Sequence, residues 1–349
     1  MTLPKRQLGK TGFDITTVGF GAWAIGGGGW RYAWGDQDDR ESIAAIRHAV
    51  ELGINWVDTA AVYGLGHSEH VIGEALKGLS DADRPYVFTK AGLVWDQSQP
   101  DASPHRIMRP ESVRREVEDS LRRLGVEAID LYQVHYPDTG ESLDWDAESK
   151  GAGPSKNATP LEEYWQTMAD LKAEGKVRAI GLSNHDLDLL KRASAVAHID
   201  TLQPPFSAIN RGDAESVAWA LEQGTGVIAY SPMQSGLLTG AFTKERVANL
   251  PANDWRTGNP DFTVNLDSNL ALVDGLRPIA ARRGVSVAEL AIAWVLAWPG
   301  ITGAIVGARR PEQIDGSIGG GSLELTEIDR EEIAAVIERT GAGNGPIRP

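Results

Sequence analysis

The sequence contains no cysteine, and this absence excludes disulfide bonds, thiolate metal sites and cysteine nucleophiles. A chain without cysteine is suited to a reducing compartment. Long apolar runs are also missing: no hydrophobic segment follows the basic residues near the N-terminus, and no stretch could span a bilayer. We therefore expect a cytoplasmic protein with no signal peptide and no membrane partner.

Positive charge is scarce as well. Lys and Arg total 34 against 48 Asp and Glu, which gives a formal net charge of -14 at neutral pH. An acidic surface argues against a nucleic-acid partner, although a local basic pocket can still bind a small anion. No coiled-coil heptads occur, so the sequence indicates no particular oligomeric state.

Short apolar segments alternate with amphipathic ones along a chain in which 42% of residues are hydrophobic. Several apolar segments are too hydrophobic to be half-exposed, which is typical of parallel strands buried on both faces. The predicted strands are Val18–Trp23, Ile54–Asp58, Tyr86–Lys90, Ile129–His135, Val177–Ser183, Thr201–Gln203, Gly226–Tyr230 and Gly303–Val306. The predicted helices are Asp39–Leu52, Ser68–Leu79, Pro110–Leu124, Pro160–Glu174, Asp186–Ala197, Asp213–Glu222 and Ser286–Trp298.

Strand–helix units that repeat without a compositional break predict an α/β fold, a single (β/α)8 TIM-barrel domain over residues 1–349. A doubly wound open sheet is the alternative, but no Gly-x-Gly-x-x-Gly motif opens a helix after the first strand. The segments Arg6–Leu8 and Phe13–Ile15 predict an N-terminal β-hairpin that closes the bottom of the barrel. Long loops are expected at about 138–158 and 241–266.

Polar side chains stand at the ends of the predicted strands, where parallel barrels place their active sites. Asp58 ends the second strand, and Tyr63 follows it. Lys90 ends the third strand, and His135 ends the fourth. Taken singly, each residue has a structural alternative as a cap, a pocket lining, a surface cation or a hydrogen-bonded histidine. The combination favours catalysis, because it fits one mechanism.

That mechanism is proton donation to an oxygen that gains negative charge. A tyrosine hydroxyl titrates at about pH 10, and a neighbouring lysine cation is expected to lower this pKa. A carboxylate holds the lysine in place, and a histidine can orient a carbonyl oxygen. The chemistry requires no metal.

The segments Asp58–Gly64, Thr89–Lys90 and Leu131–His135 resemble, in this order, the signature of the aldo-keto reductases. The resemblance covers roughly residues 8–338, nearly the whole chain. It implies an (α/β)8 barrel and an NADP-dependent oxidoreductase acting on CH–OH groups, which reduces an aldehyde or ketone to an alcohol. It also implies that Tyr63 is the general acid.

By the same resemblance, Lys90 and Asp58 tune Tyr63, and His135 positions the substrate carbonyl. Residues that bind the nicotinamide cofactor are implied as well. Ser183, Asn184 and Gln203 would bind the carboxamide, and Tyr230 would stack on the nicotinamide ring. The other cofactor-binding candidates follow the first, seventh and eighth strands: Gly21, Ser231, Pro232, Gly236, Leu238, Gly307, Arg309 and Gln313.

The segment Ile305–Gln313 resembles the segment of the aldo-keto reductases that binds the adenosine 2′-phosphate of the cofactor. This resemblance implies NADP (NADPH), with NAD as the alternative. This chain departs from many relatives at Gly316-Ser317, where they carry Glu-Asn, and at Gln313, where some carry a basic residue. Arg309 and Arg310 would then supply the charge that pairs with the phosphate. The alternative is that these arginines cap the start of the following helix.

Trp23 and Trp95 are the candidates for a substrate pocket, because each closely follows a barrel strand and offers a flat apolar face. Packing of the long loops on themselves is the alternative. The expected partner is a small carbonyl compound, or a sugar or polyol if the enzyme works in the oxidative direction. Some relatives are instead cofactor-sensing regulatory subunits without significant turnover.

Overall fold

The computed structural model describes residues 3–80, 82–143, 156–251 and 254–349. A hairpin of β1 (Lys5–Gln7) and β2 (Asp14–Thr16) comes first, with Arg6 paired to Ile15. The barrel strands are β3 (Val18–Gly21), β4 (Trp56–Asp58), β5 (Tyr86–Ala91), β8 (Ile129–Val134), β9 (Val177–Ser183), β10 (Thr201–Gln203), β11 (Gly226–Ala229) and β12 (Ile301–Gly307). A short antiparallel pair, β6 (Leu93–Val94) and β7 (His105–Arg106), follows β5.

The eight barrel strands close in the order β10–β11–β12–β3–β4–β5–β8–β9. Every pairing between β3 and β10 along this order is parallel, as the doubly buried apolar strands predict. The closed parallel barrel confirms the predicted (β/α)8 fold. The open-sheet alternative is wrong, because the strands form a ring without an edge.

The described helices are α1 (Asp39–Glu51), α2 (His67–Leu76), α3 (Pro110–Leu124), α4 (Leu161–Ala173), α5 (Leu187–Ser194), α6 (Ala214–Gln223), α7 (Lys244–Ala248), α8 (Leu266–Arg283), α9 (Val287–Leu296), α10 (Pro311–Asp315) and α11 (Glu327–Thr340). None of the described helices is both long enough and apolar enough to cross a membrane. All seven helices predicted from the sequence are present, with ends shifted by a few residues.

Two long helices, α8 and α11, are absent from the sequence prediction. The interior of α8 contains Gly275 and Pro278, residues that oppose a helix in isolation. A Cβ atom at Gly275 would lie 2.4 Å from Val336 Cγ1 of α11, so the glycine permits close packing of the two helices. Tertiary packing therefore outweighs the local propensity of α8. The start of α11 does carry a local signal, a capping box formed by Thr326 and Asp329.

Contacts between Cα atoms divide the chain into two compact units. Unit 1 consists of Met1–Gly19, Pro204–Val306 and Glu312–Pro349, and unit 2 consists of Phe20–Gln203 and Gly307–Pro311.

Within unit 1, the hairpin packs against the N-terminal ends of β11 and β12. The Arg6 guanidinium donates to the carbonyl oxygens of Leu296 and Ile301, at 3.0 and 2.7 Å. A Cβ at Gly226 would lie 2.5 Å from Leu8 Cδ1, which shows how closely the hairpin approaches the start of β11. The hairpin thus lies at the end of the barrel where the strands begin, as the sequence predicts.

The two segments predicted as long loops, 138–158 and 241–266, differ in how much of each the structure describes. Residues 144–155 of the first lie outside the described residues. At its edges the buried Asp138 carboxylate accepts hydrogen bonds from the backbone N–H groups of Met108 and Thr159, at 2.7 and 3.1 Å. The second segment, 241–266, contains α7 and two 3-10 turns.

Candidate active site

An ion pair excluded from solvent lies at the ends of two neighbouring strands of unit 2. Asp58 ends β4, which pairs with β5 in parallel, and Lys90 lies near the end of β5. Lys90 Nζ donates to Asp58 Oδ1 at 2.6 Å and to the Thr59 carbonyl oxygen at 2.8 Å. Lys90 is 1% and Asp58 3% exposed, so solvent hardly screens the attraction between their charges.

Two amides hold the second oxygen of the Asp58 carboxylate. Gln203 Nε2 donates to Asp58 Oδ2 at 2.9 Å and Gln133 Nε2 at 3.4 Å, while Gln203 Nε2 also lies 3.2 Å from Gln133 Oε1. The nitrogen of the Gln203 amide therefore faces Asp58. Gln133 was missed by the sequence analysis. It lies in β8 two residues before His135, which directly follows the strand, so the period-two alternation of a strand indicates the same side for both residues.

Tyr63 lies beside this pair, in a 3-10 turn that follows β4. Lys90 Nζ is 5.4 Å from the centroid of the half-buried Tyr63 ring, and the His135 ring is 5.6 Å away in an edge-to-face arrangement. The turn depends on glycine, because Gly64 has φ 59° and a Cβ there would lie 1.9 Å from the Gly26 carbonyl oxygen. The structure thus brings all four predicted catalytic side chains together.

Burial sets the charge states of these groups. Burial, and next the negative charge of Asp58, raise the pKa of Tyr63 well above its ordinary value. The sequence predicted a lowered pKa for Tyr63, and the net shift is in the opposite direction because burial dominates it. Burial, and then the Lys90 cation, lower the pKa of His135 well below its ordinary value. At neutral pH, therefore, a neutral phenol and a neutral imidazole face the buried ion pair.

Two of the predicted cofactor residues adjoin His135 in unit 2. Asn184 Nδ2 donates to the His135 carbonyl oxygen at 2.9 Å and to Ser183 Oγ at 3.1 Å. Ser183 Oγ donates to the Gln203 carbonyl oxygen at 2.9 Å. Asn184 has φ 60°, a left-handed conformation that non-glycine residues adopt chiefly where the surrounding structure imposes it. These polar side chains are fixed at the ends of β9 and β10.

Aromatic side chains surround Tyr63. The Trp23 ring stacks on Tyr63 with centroids 6.1 Å apart, and its Nε1 donates to the Tyr32 carbonyl oxygen at 3.2 Å. Trp95 and Trp23 both pack against a buried cluster that includes Trp30 and Tyr32. Both predicted pocket tryptophans therefore belong to the aromatic environment of Tyr63.

The guanidinium of Arg309 contacts a rim loop of its own unit. Arg309 Nε donates to Gln37 Oε1 at 2.6 Å, and the terminal nitrogens donate to the carbonyl oxygens of Trp34, at 3.0 Å, and Asp36. Gln37 Nε2 in turn donates to the Arg309 carbonyl oxygen at 3.0 Å. The sequence assigns Arg309 to a 2′-phosphate or to a helix cap, and neither assignment anticipates these contacts. Gly307 and Gly21, on the adjacent strand ends of unit 2, leave no side chain at their positions.

In unit 1, the segment after β11 has an unusual backbone. Ser231, Gln234, Ser235 and Gly236 all have positive φ, from 44° to 98°. Within this segment, the N–H groups of Gln234 and Gly236 donate to the carbonyl oxygens of Ser231 and Met233, at 2.9 and 3.1 Å. The segment is anchored, since Gln234 accepts from Ser207 Oγ at 2.7 Å and donates to Asp261 at 2.6 Å. The other predicted residues of this unit are half-buried Tyr230, buried Pro232 and Leu238, and the exposed Gln313 of α10.

Across the described ranges, no group of three or more His, Cys, Asp or Glu side chains could hold a metal ion. The groups around Tyr63 are a phenol, a neutral imidazole and a buried ion pair, which can take part in proton transfer and electrostatic stabilisation.

The chain is similar to known proteins over nearly its whole length. The family model described as "Aldo/keto reductase family" matches residues 17–338. The chain is 34% identical over 337 residues to aldo-keto reductase YhdN of Bacillus subtilis strain 168, covering 96% of this chain and 93% of that protein. It is 32% identical over 349 residues to an NADH-specific methylglyoxal reductase of Escherichia coli K12, covering 97% and 100%. The structure of a glycerol dehydrogenase from Gluconobacter oxydans matches with a TM-score of 0.83 and 33% identity, covering 99% and 98%.

Proposed function

Because the chain belongs to the aldo/keto reductase family, whose members are oxidoreductases of carbonyl and alcohol substrates, we propose that it reduces an aldehyde or ketone to an alcohol with a nicotinamide cofactor. Tyr63 is the proposed general acid. The observation that carries the proposal is the buried Lys90–Asp58 pair beside the half-buried Tyr63 ring. A cation held at this place favours negative charge on the oxygen atoms near it.

The residues fit a nicotinamide dinucleotide. Within unit 2, the polar side chains of Ser183, Asn184 and Gln203 suit its carboxamide. Tyr230 is proposed to stack on the nicotinamide ring. When bound, the cofactor supplies a hydride to the carbonyl carbon.

The side chains around Tyr63 neutralise the negative charge that develops on the substrate oxygen. Tyr63 donates its phenolic proton to this oxygen, and the raised pKa keeps the proton in place until negative charge builds up there. His135 is neutral, so one ring nitrogen can donate a hydrogen bond that orients the carbonyl. Lys90 stabilises the phenolate that remains, while Asp58 holds Lys90 in position.

The raised pKa of Tyr63 also affects how fast each direction of the reaction runs at neutral pH. Reduction uses the protonated phenol, the form that burial favours, whereas oxidation of an alcohol needs the phenolate as base. Oxidation of a polyol is the second candidate, because a glycerol dehydrogenase shares 33% identity over nearly the whole chain. A methylglyoxal reductase is also among the relatives, and glycerol and methylglyoxal are both three-carbon compounds. We therefore propose a small carbonyl compound as the substrate.

For the cofactor, we propose NADPH with NADH as a competent alternative. Arg309 and the exposed Arg310 supply positive charge for a 2′-phosphate. The donors of Arg309 already contact the Trp34–Gln37 loop, and one relative is described as NADH-specific. Selectivity for NADPH should therefore be weak.

The test is a panel of small aldehydes, ketones and polyols, assayed with NADPH, NADH, NADP and NAD. We expect carbonyl reduction at neutral pH with both reduced cofactors. Cofactor binding without turnover of any substrate would favour a regulatory subunit over the proposed enzyme. Turnover of polyols alone, at a pH where carbonyls are not reduced, would favour the oxidative function.

A further inference from the structure

The contacts of Arg309 form a reciprocal clasp, here termed the Arg309 latch. It consists of Arg309 and the segment Trp34–Gln37, joined by three guanidinium donors and by the return hydrogen bond from Gln37. The partners are 272 to 275 residues apart in sequence, so the latch ties the short segment Gly307–Pro311 to the loop that follows β3. Both belong to unit 2.

The segment held by the latch reaches the proposed proton donor through two aromatic contacts. The Trp34 ring packs edge-to-face on the Trp23 ring, with centroids 5.2 Å apart. Trp23 stacks on Tyr63 with an interplanar angle of 23°. Trp23 is also tied to the same loop by its hydrogen bond to the Tyr32 carbonyl oxygen. Movement of Trp34 would therefore remove the support of the ring that covers Tyr63.

We propose that Arg309 is a positioning residue for the carbonyl substrate, acting through Trp34 and Trp23 on the space beside Tyr63. The inference rests on the proposed function. It has a consequence for the cofactor, because a 2′-phosphate on Arg309 competes with the carbonyl oxygens of Trp34 and Asp36 for the same N–H donors. NADPH therefore loosens the latch and NADH leaves it closed.

The planar guanidinium explains why an arginine is needed. Its donors form a rigid fork that meets two backbone carbonyl oxygens and one amide oxygen at once. A lysine would keep the charge but would offer only a single ammonium group. Arg309→Lys should therefore open the latch while preserving attraction for a phosphate.

The first test uses Gln37→Ala, which removes one partner of the latch. The matched control is Gln166→Ala, whose amide donates to Asp170 on the exposed side of α4. With NADH, we expect Gln37→Ala to raise the KM of the carbonyl substrate roughly three- to tenfold, the effect of about one lost hydrogen bond. The kcat and the Kd of NADH should stay within about twofold. With NADPH the rise in KM should be smaller, because the latch is already loosened.

The second test measures backbone hydrogen exchange of residues 32–38 in the cofactor-free, NADH-bound and NADPH-bound protein. NADPH, but not NADH, should accelerate exchange in this segment, and Arg309→Lys should accelerate it in all three states. Equal KM in wild type and Gln37→Ala with NADH, or equal exchange with both cofactors, would overturn the inference. If the wild type neither binds a cofactor nor turns over a carbonyl, the proposed function fails, and the inference fails with it.

Discussion

Lys90 and Asp58 form an ion pair with an Nζ–Oδ1 distance of 2.6 Å, in which both side chains are almost completely withdrawn from solvent. Burial lowers the pKa of Lys90, and the Asp58 charge opposes this effect. The pair therefore keeps a cation close to Tyr63 only as long as both partners are present. This dependence makes stability and catalysis sensitive to the same two residues.

Breaking the pair from one side should destabilise the protein strongly. We expect Asp58→Asn and Lys90→Met each to lower the free energy of unfolding by about 3–5 kcal/mol, because each leaves an uncompensated buried group. The double variant should lose less than the sum of the single losses. Urea denaturation of the four proteins provides the measurement. Asp267→Asn is the control, since its pair with Lys244 is exposed and should contribute at most about 1 kcal/mol. If the double variant lost the full sum of the two single losses of unfolding free energy, Asp58 and Lys90 would not stabilise each other.

Tyr63→Phe removes the proposed proton donor while keeping the ring. We expect kcat for carbonyl reduction to fall by roughly 10²–10⁴, the usual contribution of a positioned general acid, with the cofactor Kd unchanged. Stopped-flow assays of turnover and fluorescence titration with NADPH measure the two quantities. Tyr86→Phe, at the opposite end of β5 from Lys90, is the matched control and should be neutral. Retention of more than about a tenth of the wild-type kcat would assign the proton to another group.

The pH dependence of reduction should lack a histidine titration. His135 has a pKa well below its ordinary value, so it is neutral throughout the range in which an ordinary histidine, with a pKa of about 6.5, would titrate. Tyr63 has a pKa well above 10, so it keeps its proton into the alkaline range. We expect kcat for reduction to be level from about pH 6 to 9. Alcohol oxidation should rise with pH over this range, and an inflection of reduction at about pH 6.5 would refute the neutral histidine.

Glu116 predicts a pH dependence of stability. Its buried carboxyl accepts hydrogen bonds from the Gly92 N–H, at 2.9 Å, and from Ser112 Oγ, at 3.0 Å, and burial raises its pKa to about 7. A pKa above the unfolded value means that the folded state holds the proton more tightly. The stability from this group is full below the unfolded pKa of 4.5 and is lost as pH rises through about 7.

Glu116→Gln removes this titration and should keep the contacts, since an amide can accept from Gly92 and donate to Ser112. The unfolding free energy of the variant relative to wild type should therefore rise by up to about 3 kcal/mol between pH 4.5 and 8. Glu174→Gln, an exposed partner of Arg114, is the control and should show little change. Denaturation at several pH values measures this difference in unfolding free energy. A difference between Glu116→Gln and wild type that does not vary with pH would contradict the prediction.

The sequence by itself determined the barrel strands and the residues at their ends. Strand and helix patterns repeat over short stretches, and polar residues that end parallel strands are necessarily brought to one rim. For this reason Asp58, Tyr63, Lys90 and His135 could be found without coordinates. The alternation within β8 would also have marked Gln133, had interior strand positions been considered.

Only the tertiary structure decided how these groups are paired and charged. Gln203 reaches Asp58 across 145 residues and Arg309 reaches Gln37 across 272, and no local pattern specifies such partners. The pKa of Tyr63 likewise depends on burial, so the sequence predicted the wrong direction of its shift. The physical reason is common to these cases: hydrogen-bond partners and solvent exclusion depend on distances in space, whereas propensity and periodicity act between neighbours in the chain.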